Sequence, residues 1–164
     1  ATFVSILINS NAVKKFGLPF KGFFIWGDDT EFTERLSSKF GPAYLISSSK
    51  VIHKRLSQKS LDFYSENNPH RIKMMYYLLR NRLILIKKDY KMRKRLLLYF
   101  GQIRLILKIM LFARYKYLKI LTLIKANFGY FSGSYNKKDF KNRFNSYLEN
   151  DLDSQLQSGR LKIL

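Results

Sequence analysis

Two stretches of the first third of the chain have strand-like patterns: residues 2–9 are a mostly apolar run, and Tyr44–His53 is interpreted as an alternation of apolar and polar residues. Alternation of this kind places apolar side chains on one face of a β-strand. An aromatic run, Phe23–Trp26, has the composition of a third strand. Because helical signals lie between these stretches, the first part of the chain is predicted to be α/β.

Two helices are predicted between the strands. The first begins near Ser10 and stops at Gly17, and the second runs over about residues 30–40. Asp28 precedes Glu31 by three residues, which is the spacing of a capping box at a helix start.

The second half of the chain is predicted to be helical and amphipathic, with a helix that begins at Pro69. Its apolar positions, at three- and four-residue steps, are Ile72, Met75, Tyr76, Leu79, Leu83, Ile86 and Tyr90. In the next block the expected polar side is Arg104, Lys108, Lys119 and Thr122, and the expected apolar side is Ile103, Ile106, Met110, Ala113, Tyr117, Ile120 and Ile124.

This second block lacks the uncharged length of a membrane-spanning helix, which is about 20 residues. Between Arg95 and Lys125 the longest uncharged run has eight residues, 96–103. A basic amphipathic helix of this kind is expected to lie on a membrane surface. A helical hairpin packed on the first part, with its cations in water, fits the pattern equally well.

Three parts are therefore predicted: an α/β part over residues 1–66, a basic helical part over 67–128, and a loop with a weak terminal helix over 129–164. The loop is expected at Gly129–Lys138, where glycine, serine and asparagine are frequent.

The formal net charge of +20 is concentrated outside the α/β part. Residues 1–66 hold nine Lys and Arg against six Asp and Glu, whereas residues 67–164 hold 22 against five. Such a field attracts a polyanion, either nucleic acid or an anionic membrane surface. The chain has no cysteine, which excludes disulfides and thiolate zinc sites.

Three acids follow the aromatic run: Asp28, Asp29 and Glu31. One acid is enough to cap a helix, and apolar surroundings can tune a second carboxylate as a base. The segment therefore carries one acid that is available for chemistry.

Residues 3–36, FVSILINSNAVKKFGLPFKGFFIWGDDTEFTERL, resemble the acceptor-side segment of family 2 glycosyltransferases of the GT-A fold, especially the bacterial rhamnosyltransferase and galactofuranosyltransferase-like members. Residues 76–88, YYLLRNRLILIKK, are similar to the segment that follows their catalytic core. The resemblance covers about residues 2–90. It implies the C-terminal, acceptor-side part of a GT-A domain, followed by long basic amphipathic helices.

The family motif is an acid, then Asp, a variable residue and another acid, with Arg four positions later. Here these positions are Asp28, Asp29, Glu31 and Arg35. The resemblance implies that Asp29 is the general base, which takes the proton from an acceptor hydroxyl as it attacks the anomeric carbon of a nucleotide-activated sugar in an inverting transfer. Asp28 and Glu31 would orient acceptor hydroxyls, and Arg35 would support Glu31 across one turn.

Two further roles follow from the resemblance. His53 would help to hold the Mg²⁺ or Mn²⁺ ion bound to the donor diphosphate, although a lone histidine is more often a surface or core residue. Trp26 would stack on a sugar face of the acceptor, although a tryptophan is more often part of the core.

One departure from the family concerns the donor. Family members bind the nucleotide sugar through an N-terminal half with an Asp-x-Asp motif, and the Asp-x-Asp here, Asp151 and Asp153, lies in a polar tail. The chain is therefore expected to be a piece of a longer enzyme. The implied acceptor is a saccharide or a lipid-linked saccharide in bacterial polysaccharide or cell-envelope synthesis, at the cytoplasmic face of the cell membrane.

Two other classes remain open. A basic nucleic-acid-binding module would explain the charge and the interleaved aromatic residues, but no nucleic-acid motif is present, so nucleic acid is the less expected partner. A membrane-surface anchor without chemistry of its own would explain the basic helices.

Overall fold

A computed structural model describes residues 5–54, 61–89, 92–136 and 138 of the chain. The described residues form five α-helices and one 3₁₀-helix: α1 (Ser10–Phe16), the 3₁₀-helix (Lys21–Phe23), α2 (Asp28–Lys39), α3 (Pro69–Asp89), α4 (Met92–Phe112) and α5 (Lys116–Ser132). These ranges contain no strand. The expectation of an α/β, GT-A-like fold is therefore wrong for the part of the molecule that the structure describes.

The two stretches with strand-like patterns are irregular segments with exposed apolar side chains. The aromatic run Phe23–Trp26 is not a strand either, but a turn in which Phe23 is buried. Leu7 is fully exposed, and Leu45 and Ile52 are 95% and 85% exposed. A strand is stable when its backbone pairs with neighbours and one face is buried. The described residues provide neither condition for these segments, so alternation alone did not produce a sheet. Residues 2–4 of the first predicted strand lie outside the described ranges.

The two helices of the first part were predicted correctly in position. The Asn9 side chain accepts a 2.8 Å hydrogen bond from the Asn11 amide at the start of α1, and Gly17 ends the helix at φ 77. α2 begins at Asp28 and ends at Lys39. The expected capping box is wrong, because Gly27 rather than Asp28 is the N-cap residue.

α3 lies at the centre of the packing and begins at Pro69, as predicted. Ile72 and Met75 are fully buried, in one core cluster with Ile109 of α4. A second cluster joins Leu83 to Phe23 and other aromatic residues. Burial of each large apolar side chain contributes about 1.5–3 kcal/mol. The apolar side of α3 therefore carries both halves of the core.

α5 packs with the opposite face from the one predicted. Lys119 is fully buried and Thr122 is 4% exposed, although both were placed on the solvent side. Lys119 Nζ donates to the Tyr64 carbonyl and lies 5.8 Å from the centroid of the Tyr64 ring. Burial lowers the pKa of Lys119, while the carboxylates of Asp62 and Glu66 oppose this change.

The predicted second block is divided into α4 and α5 by residues 113–115, where Tyr115 has φ 57. α5 runs to Ser132 and ends at Gly133 (φ 74), so the loop expected from Gly129 begins later than predicted. The predicted terminal helix, with the Asp-x-Asp of the tail, lies outside the described ranges. None of the described helices combines enough length and apolar character to cross a membrane.

Candidate functional site

The acid segment lies at the N-terminus of α2. Gly27 turns the chain into the helix with a left-handed backbone, φ 102. Asp28, Asp29 and Glu31 all fall in the first turn, where unpaired amides and the helix dipole favour negative charge. The first turn of a helix is therefore a favourable position for acidic side chains.

Glu31 and Arg35 form a buried ion pair, as predicted. Arg35 Nε and Nη2 donate to the two carboxylate oxygens of Glu31 at 2.8 and 3.1 Å. The guanidinium also donates to the carbonyls of Phe16 and Leu18 at the end of α1. Glu31 is 4% exposed, so an acceptor hydroxyl would have to replace Arg35 to reach it. Asp28 and Asp29 are the acids left for an acceptor.

Asp28 and Asp29 are half-buried at the start of α2. Asp29 Oδ1 accepts a 2.8 Å hydrogen bond from the Thr30 amide, and the Asp29 carbonyl accepts one of 2.8 Å from Thr33 Oγ1. Among the described residues, no hydrogen bond is donated to Asp29 Oδ2. One oxygen of the Asp29 carboxylate is thus held by the backbone, and the other can take a proton.

A strained turn leads into the acids. The Ile25 amide donates to the Phe23 carbonyl at 2.8 Å, which places Phe24 at the centre of a γ-turn of the rarer form, with φ 64 and ψ −62. Trp26 also has positive φ, 59. Such conformations cost a residue other than glycine about 1–3 kcal/mol each, and they persist only where the surroundings hold them. The turn therefore needs support from outside itself.

Asn81 of α3 supplies that support. Its side chain is fully buried, and Nδ2 donates to the carbonyls of Phe23, Ile25 and Trp26 at 2.8, 3.0 and 2.9 Å. Because an amide nitrogen carries two hydrogens, one of them is shared between two carbonyls. A single side chain thus fixes the backbone on both sides of Phe24.

Arg80 extends the same support. Its Nε and Nη2 donate to Asn81 Oδ1 at 3.1 and 2.9 Å, and Nη2 also donates to the Gly22 carbonyl. The guanidinium lies 5.2 Å from the ring centroids of both Tyr76 and Tyr77. Arg80 therefore orients the Asn81 amide so that its nitrogen faces the strained turn.

Arg80 and Asn81 were not among the predicted site residues. The sequence did contain a signal for Arg80, because it falls four residues after Tyr76 and so lies on the apolar side of α3. A polar side chain on a buried helix face must find hydrogen-bond partners. Which carbonyls it would reach could not be read from the sequence.

The other two predicted site residues, Trp26 and His53, differ in their exposure. Trp26 is half-buried and packs against the core cluster of Ile72 and Met75. His53 is exposed in the irregular segment after α2. Among the described residues, no three His, Asp or Glu side chains are grouped closely enough to hold a metal ion.

Comparison of the chain with protein-family models, curated proteins and solved structures finds no match. The resemblance carried by residues 3–36 and 76–88 therefore stays a prediction. What the structure adds to it is a contact between these two segments.

Proposed function

We propose that the chain carries the acceptor side of a family 2 glycosyltransferase, with Asp29 as its general base. The observation that supports this proposal is the buried Asn81, which joins the two segments that resemble the family although they lie 55 to 58 residues apart in sequence. The contact fixes the turn directly before Asp28 and Asp29. Strain of this kind is concentrated at functional sites.

The proposed reaction is a single displacement. An acceptor hydroxyl gives its proton to Asp29 Oδ2 as its oxygen forms a bond to the anomeric carbon of a nucleotide-activated sugar. The bond from that carbon to the diphosphate breaks, and the nucleoside diphosphate leaves with the electron pair. Attack from the side opposite the leaving group inverts the anomeric configuration. Asp28, beside Asp29, would accept a hydrogen bond from a neighbouring acceptor hydroxyl.

The proposal concerns the acid segment and its support, not the overall architecture. It depends on two parts of the structure, the start of α2 and the middle of α3. These hold the hydrogen bond from the Thr30 amide to Asp29 and the one from Asn81 to the Trp26 carbonyl. Donor binding is not assigned to any residue of the described helices.

The experiment that tests this function is a transfer assay on the full-length protein. Nucleotide-activated rhamnose, galactofuranose, glucose and mannose are offered with oligosaccharide and lipid-linked saccharide acceptors, and nucleoside diphosphate release is followed. We expect release that depends on the acceptor for one of these donors. Absence of acceptor-dependent release with every pair would contradict the proposal.

A divalent cation is part of the proposal, although the described residues do not form a metal site by themselves. Mg²⁺ or Mn²⁺ would neutralise charge on the donor diphosphate, and His53 would be a single protein ligand beside the donor phosphates. No step of the proton transfer at Asp29 depends on this ion.

We predict that His53→Ala raises the Mg²⁺ or Mn²⁺ concentration needed for half-maximal activity by at least about 10-fold. Loss of a side chain that helps to hold a metal ion typically weakens binding of the ion by about 10-fold or more. The measurement is a metal titration of the transfer assay, with His70→Ala as the control. An unchanged titration curve for His53→Ala would remove His53 from the metal site.

The second half of the molecule carries two exposed apolar stripes, whose members are at least half exposed. The stripes consist of Leu96, Phe100, Ile103, Leu107 and Met110 on α4, and of Tyr117, Ile124, Phe128 and Phe131 on α5. Exposed Arg104, Lys108, Lys116 and Lys125 lie on the same helices, and neither helix contains Asp or Glu. An apolar stripe with cations and no acids suits an anionic bilayer surface.

We therefore propose that α4 and α5 hold the enzyme on the anionic inner face of the cell membrane, near a lipid-linked acceptor. This placement is favoured over a hairpin with its apolar side packed inward, because the apolar stripes face solvent. The buried Lys119 is what turns α5 in this direction.

We predict that Phe100→Asp weakens binding of the chain to anionic vesicles by about 10-fold, since the loss of one inserted apolar side chain costs more than 1 kcal/mol. Co-sedimentation measures the effect. The matched control is Leu45→Asp, which makes the same charge change at an exposed leucine outside α4 and α5.

Salt separates this surface from nucleic-acid binding. Apolar insertion is not screened, so vesicle binding of the chain should weaken but persist at about 1 M salt, where the Debye length is about 3 Å. Phosphate contacts to nucleic acid would be lost steeply over a smaller salt range. Tight nucleic-acid binding without vesicle binding would contradict the membrane proposal.

A further inference from the structure

Phe24 occupies a backbone conformation that suits glycine and exposes its ring. It sits at the centre of the γ-turn with φ 64, and it is 66% exposed. A phenylalanine here gains little from burial and strains the backbone. Neither the backbone nor the core explains an aromatic residue at this position.

The Phe24 ring is held in place from one side. It packs against Tyr77 of α3, with 4.8 Å between the ring centroids and 41° between the planes. Tyr77 is half-buried and meets Tyr76 edge to face at 5.0 Å, and Arg80 lies 5.2 Å from both tyrosine rings. The aromatic surface is therefore backed by α3 and fixed in orientation.

The backbone on both sides of this ring is fixed as well. Asn81 Nδ2 holds the carbonyls of Phe23 and Ile25, the two neighbours of Phe24 in sequence. Asp28 follows four residues later at the start of α2. An exposed aromatic ring on a fixed backbone thus precedes the acids by four residues in the sequence, while Trp26 packs against the core.

We propose that Phe24, backed by Tyr77, is the platform on which a sugar ring of the acceptor stacks. The inference rests on the proposed glycosyl transfer and names its acceptor-binding surface. The C–H groups on one face of a sugar ring are apolar and carry small positive charges, so they pack on the electron-rich face of an aromatic ring. A ring that is ordered before binding loses little entropy when the sugar arrives.

Phe24→Gly separates this role from a structural one. Glycine relieves the strained φ, which offsets the greater entropy of its unfolded chain, so the variant should have a Tm close to that of the wild type. Loss of the ring should raise the acceptor KM about 10-fold, which corresponds to about 1.4 kcal/mol, with the donor KM unchanged. Phe24→Tyr keeps the ring and should bind acceptor like the wild type. Tyr44→Gly is the matched control, since Tyr44 is an exposed aromatic residue in the irregular segment after α2.

Trp26, the single tryptophan, gives a readout that does not require catalysis. It lies two residues from Phe24, so its fluorescence should change saturably when the full-length protein is titrated with methyl rhamnoside, methyl galactofuranoside or short oligosaccharides containing these sugars. The change should be retained in Phe24→Tyr and Tyr44→Gly and lost in Phe24→Gly.

Two results would overturn the platform: no saturable change with any saccharide in the wild type, or an equal change and equal acceptor KM in Phe24→Gly. Saccharide binding that depends on Phe24 without any sugar transfer would instead sustain the platform and refute the transfer reaction. Transfer that depends on Asp29 but not on Phe24 would sustain the reaction and refute the platform.

Discussion

Asp29→Asn is expected to lower the turnover of the full-length protein by at least about 100-fold, the lower end of what a positioned general base contributes. Asparagine keeps the shape of the side chain, and its amide oxygen can still accept from the Thr30 amide as Asp29 Oδ1 does. It cannot take a proton from an acceptor hydroxyl. Binding of the nucleotide sugar should change little.

The measurement is kcat for sugar transfer beside the dissociation constant of the donor. Glu34→Gln is the matched control, because Glu34 is an exposed acid of the same helix, five residues further along the chain. Asp28→Asn should raise the acceptor KM more than it lowers kcat, since Asp28 is assigned to hydroxyl orientation. Near-normal turnover in Asp29→Asn would assign the base to another residue.

Local signals in the sequence were sufficient for the ends of several helices. Asn9 caps the start of α1 and Gly17 ends the helix, and their capping hydrogen bonds involve residues only two and four positions away. Pro69 begins α3 for the same kind of local reason. Arg35 could be paired with Glu31 because the two lie one turn apart on α2.

Features that depend on distant residues could not be predicted. Alternation in Tyr44–His53 gave no information on whether a partner strand exists, and the described residues supply none. The inward face of α5 depends on Lys119 reaching the Tyr64 carbonyl, 55 residues earlier. Apolar periodicity favours the opposite face, and the buried ammonium overrides it through this hydrogen bond and the nearby aromatic ring.

In the candidate site, too, the features set by neighbouring residues could be predicted and those set by distant residues could not. The acids of α2 were visible in the sequence because they are neighbours, whereas the support of the turn before them comes from α3. The strained φ angles of Phe24 and Trp26 could not be inferred from their residue types, which avoid such conformations. Only the packing of α3 against this turn shows why Phe24 rather than Trp26 is exposed.

The hydrogen bonds from Asn81 to the turn should make a measurable contribution to the stability of the chain. Asn81→Leu is expected to destabilise the chain by about 3 kcal/mol or more, because truncation of a buried hydrogen-bonding group leaves its partners unsatisfied. The carbonyls of Phe23, Ile25 and Trp26 would lose the Asn81 donor, although the Phe23 carbonyl still accepts from the Ile25 amide. Arg80 would lose the amide oxygen that accepts two of its hydrogen bonds. Leucine has a similar volume, so the change leaves no large cavity.

Denaturant unfolding measures this loss, with Arg82→Leu as the control, since Arg82 is the exposed neighbour of Asn81 on α3. The cost of Asn81→Leu should be smaller in a Phe24→Gly background, because a turn without strain needs less support from the Asn81 amide. A double-mutant cycle gives this coupling directly. A loss below about 1 kcal/mol for Asn81→Leu, or equal losses in the two backgrounds, would show that Asn81 does not hold the turn in its strained form. Residues 23–27 would then owe their conformation to the packing of Trp26 and Phe23 in the two core clusters.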